Sequence, residues 1–144
     1  MTVAAILRHK GQEVVSVGMD ATIAELVQIL VARRIGAVAV LDGDGRLCGI
    51  LSERDVMRSL AQHGAAALDR RASQLMTADL TTGTPGTTVA QAMAMMTDGR
   101  FRHLPVVENG ALIGMVSIGD VVKARMMQQE TEVDSLKAYV VSTV

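Results

Sequence analysis

Residues 49–55 read Gly49-Ile50-Leu51-Ser52-Glu53-Arg54-Asp55, and the same spacing returns as Gly114-Met115-Val116-Ser117-Ile118-Gly119-Asp120. Both copies place a glycine, two apolar residues, a serine, two variable residues and an aspartate in that order. Each follows a short apolar run and precedes another apolar-periodic segment, 56–60 and 121–127, the context of a strand that turns tightly into a helix. The first N–H groups of such a helix lack partners, so a serine hydroxyl can cap them and an aspartate three residues on can return the bond. Read singly, each motif is therefore a capping box. Capping does not by itself call for the upstream glycine, nor for aspartate in both copies. A glycine admits another group close to the backbone, and a helix N-terminus carrying Ser and Asp suits a sugar-phosphate. The doubling in register moves the reading toward a ligand.

Working outward, the repetition extends well past the two motifs. Thr22-Ile23-Ala24-Glu25 matches Thr88-Val89-Ala90-Gln91, and both read as capping boxes that open amphipathic helices. Each helix ends near a basic or glycine residue, Arg33-Arg34 or Gly99-Arg100. A strand follows, 37–41 or 103–107, and then a turn, Asp42-Gly43-Asp44-Gly45 or the shorter Glu108-Asn109-Gly110. With initial strands at 13–17 and 80–84, each half reads β–α–β–β–α. Pro105 places its strand at an edge or at a strand start, since proline cannot donate to a ladder. The expected organisation is a first repeat over 3–60, a linker over 61–73, a second repeat over 74–127 and a C-terminal amphipathic helix over 128–144. That last helix carries Val133, Leu136, Val140 and Val141 at helical spacing, a stripe suited to the body of the protein or to a second subunit.

Composition narrows the function. The chain has 144 residues, 49% of them hydrophobic, enough for one folded, soluble domain with a real core. Its net charge is −1, and its aromatics are Phe101 and Tyr139 alone, so it has neither the basic stripe nor the stacking platform of a nucleic-acid binder. The single Cys48, inside an apolar run, reads as a small packed side chain. No apolar segment approaches the roughly 18 residues a membrane span needs, and residues 1–8 lack a signal-peptide layout, so a cytoplasmic location is the expectation.

The ordered double set of motifs resembles a tandem pair of cystathionine-β-synthase (CBS) domains, the Bateman module. The likeness covers about residues 3–127 and is carried by 49–55 and 114–120, by Arg102-His103-Leu104-Pro105-Val106-Val107, and by the openings Asp20-Ala21-Thr22-Ile23 and Gly86-Thr87-Thr88-Val89. It implies an α/β (α+β) protein whose two repeats pack through their sheets with pseudo-twofold symmetry. It also implies two clefts for adenosine-containing ligands, each drawing on both repeats, and homodimers. Carried over by position, Asp55 and Asp120 would accept from ribose hydroxyls, and Ser52 and Ser117 would face phosphate. Ile50 and Met115 would line the adenine slot, with Phe101 among the lining residues and backbone near Val14, Val15, Leu80 and Thr81 reading the base edge. Lys10, Arg54, Arg102 and His103 are the cations available to phosphate, and solvated surface charge is the competing reading of each. The clefts are not equivalent: the one at Asp55 would combine Arg54 with Arg102 and His103, whereas the one at Asp120 would face Gly36 and Lys10.

Neither a paired nucleophile and base, nor metal-ligand spacing, nor a phosphate loop is visible, so the reading is a regulatory module and not an enzyme. The expected ligand is AMP, ADP, ATP or NAD, acting on a stand-alone CBS dimer that signals to an unidentified protein target. The alternative from a different class is an adaptor whose clefts bind nothing.

Overall fold

The computed structural model of the chain describes residues 1–143, and its contacts divide the chain into two units. One unit holds Met1–Gln12, Thr82–Val107 and the chain from Gly114 on; the other holds Glu13–Thr81 and Glu108–Ile113. Each unit therefore combines one repeat with the segment that precedes the other repeat in sequence.

The unit built on the first repeat contains β1 (Ser16–Gly18), α2 (Ile23–Arg33), β2 (Ala37–Leu41), β3 (Leu47–Ser52), α3 (Glu53–His63) and α4 (Ala72–Leu75). Its sheet runs β1-β2-β3, with β1 parallel and β3 antiparallel to β2. The turn between β2 and β3 is closed by Asp42, whose Oδ1 accepts from the N–H groups of Asp44 and Arg46, and by Gly45 at φ +78°. Cys48 is the extra residue of a bulge where the β2–β3 register shifts. It is half-buried, and its thiol donates to the carbonyl of Val40 at 3.2 Å. Val17, Ile23, Leu26, Leu30, Val38, Val40, Leu51, Val56 and Ala72 form this unit's core. A leucine or valine buried in this way contributes ~1.5–3 kcal/mol relative to exposure.

Residues 61–73 are a helical connection in this structure. α3 runs to His63, a 3₁₀ turn spans Gly64–Asp69 and buries Ala67, and α4 begins at Ala72. Alanine's high helix propensity suits this connection to helical structure. Hydrogen bonds from Ile23 to the Arg70 carbonyl, from Ala72 to Ala21 and from Ser73 to Met19 tie this stretch to the start of α2.

The second unit opens with α1 (Val3–Lys10), and its own repeat supplies α5 (Val89–Gly99), β4 (His103–Glu108), β5 (Ala111–Ser117) and α6 (Ile118–Thr143), except for the hairpin tip Glu108–Ile113, which belongs to the unit built on the first repeat. α1 and α5 both pack on α6. The N-terminal segment is tied to residues 85–89 in the manner of the other unit: Val3 N–H donates to Thr87, Ala4 N–H to Pro85, and Val89 N–H to Met1. The β4–β5 hairpin turns through Asn109 and Gly110 at φ +53° and +79°, the left-handed pair that a two-residue hairpin loop requires.

An initial strand over 80–84 is not formed; only a parallel bridge between Gly83 and Val106 remains. Pro105 explains the loss. Its counterpart Ala39 donates an N–H to the Val15 carbonyl at 3.1 Å beside β1, whereas Pro105 can only accept, from Gly83. Strand 13–17 is correspondingly shortened to Ser16–Gly18. α6 runs unbroken from Ile118 to Thr143, so residues 128–143 continue the helix that begins at the second motif; Val144 lies outside the described residues. No helix among the described residues is long and apolar enough to cross a membrane.

Candidate ligand-binding sites

Both motifs end a strand and start a helix, and in both the serine and aspartate bond each other. Ser52 is the N-cap of α3: its Oγ accepts from Asp55 N–H at 3.3 Å and donates to Asp55 Oδ2 at 3.0 Å, while its own N–H donates to the same Oδ2 at 2.9 Å. At the start of α6, Ser117 N–H donates to Asp120 Oδ2 at 2.8 Å and Ser117 Oγ accepts from Asp120 N–H at 3.1 Å. The capping boxes at Thr22/Glu25 and Thr88/Gln91 are present as well.

The glycines have a structural reason that the sequence reading missed. A Cβ on Gly49 would lie 2.5 Å from the Met76 sulfur, and one on Gly114 would lie 2.7 Å from a Leu7 methyl. The group admitted to the backbone is thus a side chain from the segment preceding the other repeat. A clue lay in Leu7 and Met76, each in a short apolar run just upstream of a repeat.

Ile50, Ser52, Arg54, Gly36, Val14, Val15, Leu80 and Thr81 belong to the same unit as Asp55. Ile50 is buried and exchanges backbone hydrogen bonds with Thr77 at 3.0 and 2.8 Å. Glu53 N–H donates to the Gly36 carbonyl, which holds the residue before β2 against the first turn of α3. Val14, Val15 and Leu80 are half-buried, and Thr81 is exposed. Arg54 extends from the first turn of α3 into solvent. The Asp55 side chain is only 11% exposed, and its Oδ1 has the Arg58 guanidinium at 3.7 Å, an ion pair beyond hydrogen-bond length.

Lys10, Phe101, Arg102, His103, Met115, Ser117 and Asp120 belong to the other unit. Lys10, at the end of α1, donates its ammonium to Asp120 Oδ2 at 2.6 Å and to the Met115 carbonyl at 3.0 Å. Burial alone raises the Asp120 pKa, but the Lys10 and Ser117 hydrogen bonds and the Lys10 charge outweigh it and hold the carboxyl below its ordinary value. The carbonyl of Arg102 accepts from Ile118 N–H at 2.8 Å, the same bond that Gly36 makes in the first repeat, and the Arg102 side chain is exposed. Phe101 is half-buried against Gly99, and His103 is half-buried at the start of β4.

The CBS domain family matches this chain twice, over residues 3–62 and 72–127. The chain belongs to the CBS domain family. A mitochondrial CBS domain-containing protein of Arabidopsis thaliana, CBSX3, is 35% identical over 147 residues, covering 96% of this chain and 71% of that protein. The chain spans only 21% of a longer CBS protein of the same plant. Among solved structures, a CBS-domain-containing protein from Agrobacterium tumefaciens is 48% identical with a TM-score of 0.84, covering 86% of this chain and 92% of that one. The CBS domain pair of protein MJ0100, in complex with 5-methylthioadenosine and S-adenosyl-L-methionine, shares the fold at 22% identity and a TM-score of 0.77, over 89% of this chain and 98% of that one.

Proposed function

We propose that this CBS pair is a regulatory sensor, not an enzyme, that binds a phosphorylated adenosine compound such as AMP, ADP, ATP or NAD. A homodimer passes its state to a protein target in the cytoplasm. The observation that carries the reading is the Asp55 carboxylate. It is mostly buried, one oxygen is saturated by the cap, and the other has its nearest cation at 3.7 Å, an acceptor suited to a ribose hydroxyl. The helix N-terminus beside it, with Ser52 and the exposed Arg54, suits phosphate. That the MJ0100 pair is held with two adenosine compounds supports the ligand class, and the basic residues of this chain favour a ligand bearing phosphate. Asp120 ranks second, because the Lys10 ammonium already sits 2.6 Å from its carboxylate, whereas the Arg58 guanidinium stands 3.7 Å from that of Asp55. Binding regulates by its differential affinity for two arrangements of the protein.

The adaptor reading is favoured by a specific observation: capping accounts for both Ser–Asp pairs, and packing accounts for both glycines. A thermal-shift series separates the two. Nucleotide-free protein is melted with AMP, ADP, ATP, NAD and S-adenosylmethionine, as wild type, Asp55→Ala and Asp120→Ala. A ligand at 100 times its Kd adds about 2.7 kcal/mol of stability. The sensor reading expects a rise in Tm that Asp55→Ala abolishes. No rise with any of the five leaves the adaptor, and a greater loss in Asp120→Ala reverses the ranking.

A further inference from the structure

From Gln129 to Val141 every side chain of α6 is exposed, the last buried one being Ala124. A single helix in water of this length is marginal without a partner for its apolar face. That face is not scattered. Val122, Met126, Gln129, Val133, Leu136 and Val140 follow one another at intervals of four and three, the 3.5-residue period of a coiled-coil seam. Val122, Met126, Val133 and Leu136 are 41%, 56%, 50% and 63% exposed.

We infer that α6 pairs in parallel and in register with α6 of a second copy of this chain. Three features select that occupant over another apolar partner. Valine stands at two successive a positions, 133 and 140, with Leu136 at the d position between them, a pattern that favours two parallel strands. The flanking charges complement themselves: a parallel pair sets Arg125 against Glu130 and Glu132 against Lys137 across the seam, opposite signs both times. The lone polar residue in the seam, Gln129, meets its own copy only in register, where two amides can hydrogen-bond. This gives the self-association proposed above its surface and requires no ligand.

Sedimentation equilibrium on the full chain tests it. Wild type is dimeric, and Val133→Glu/Leu136→Glu is monomeric while circular dichroism shows the domain still folded. Glu132→Lys weakens dimerisation several-fold, and Glu132→Lys/Lys137→Glu restores it. Val140→Cys forms an intermolecular disulfide on oxidation, because a parallel seam sets position 140 against itself. A dimer that persists in the Val133/Leu136 variant overturns this inference and leaves self-association intact. Monomeric wild type overturns both, and failure of Val140→Cys to cross-link in a seam-dependent dimer overturns the parallel register.

Discussion

Lys10 holds Asp120 at 2.6 Å although 110 residues separate them, so a carboxylate that caps α6 is also clamped to the end of α1. The folded pKa of Asp120 lies below the ordinary value, so the unfolded chain binds the extra proton. The pair's stabilisation is therefore complete above the unfolded carboxyl pKa, about 4, and is lost as pH falls through the lower folded value. With side chains 37% and 25% exposed the pair is worth at most about 1 kcal/mol. Lys10→Met should melt slightly below wild type at pH 7, and the gap should narrow as the pH is lowered below the unfolded carboxyl pKa. A gap independent of pH would show that Lys10 acts through packing and not through Asp120.

Under the proposed function Asp55 both caps α3 and binds ligand, and one substitution can separate the two roles. Its Oδ2 caps α3, whereas Oδ1 has the Arg58 guanidinium at 3.7 Å. In Asp55→Asn the amide oxygen still accepts from Ser52 N–H, so the Tm should fall by far less than in Asp55→Ala, where loss of a cap interaction costs about 1 kcal/mol. The amide nitrogen is a donor in place of an acceptor, so stabilisation by nucleotide should vanish in both variants. If Asp55→Asn keeps the full nucleotide shift, the aspartate serves capping alone.

Gly49 and Gly114 look alike in sequence but should respond differently to a methyl group. Gly114→Ala drives a Cβ into Leu7, which is 1% exposed and cannot withdraw, whereas Gly49→Ala meets Met76, a flexible and half-buried side chain. Overpacking of the first kind costs ~1–3 kcal/mol. Chemical denaturation should show Gly114→Ala as the more destabilised of the two. Combining it with Leu7→Ala should cost less than the sum of the single losses, since one change makes room for the other. Strict additivity would remove Leu7 as the reason for the glycine.

What the sequence discloses follows from how far apart the partners are. The capping boxes at Thr22, Ser52, Thr88 and Ser117 and the Asn109-Gly110 turn are encoded within a few residues of themselves, and each is legible directly. Leu7 on Gly114 and Lys10 on Asp120 join residues more than 100 positions apart, and no local pattern announces them. For that reason the glycines suggest a ligand in the sequence and prove to be packed by the chain's own side chains. The helical stretch 61–73 is hidden differently: its Ala-Gly composition is shared by linkers and short helices, and contacts to Met19 and Ala21 decide between them. Asp55 Oδ1, the feature that most favours a ligand, is visible only in three dimensions.

The sequence reads Pro105 as standing at an edge or at a strand start, and its repeat partner supplies the converse test. Ala39 is fully buried in β2, and its N–H donates to the Val15 carbonyl beside β1. Ala39→Pro deletes that donor while leaving the β3 side of the strand untouched, so the first repeat should come to resemble the second, with β1 reduced to an isolated bridge. An unpaired carbonyl at this position costs ~1–3 kcal/mol. Amide exchange should then rise at Val17 and its neighbours but not across the β2–β3 pairing from Val38 to Leu51. Uniform exchange over all three strands would mean that β1 is required for the sheet to form at all, and that residues 80–84 of the second repeat depend on something other than the missing Pro105 N–H.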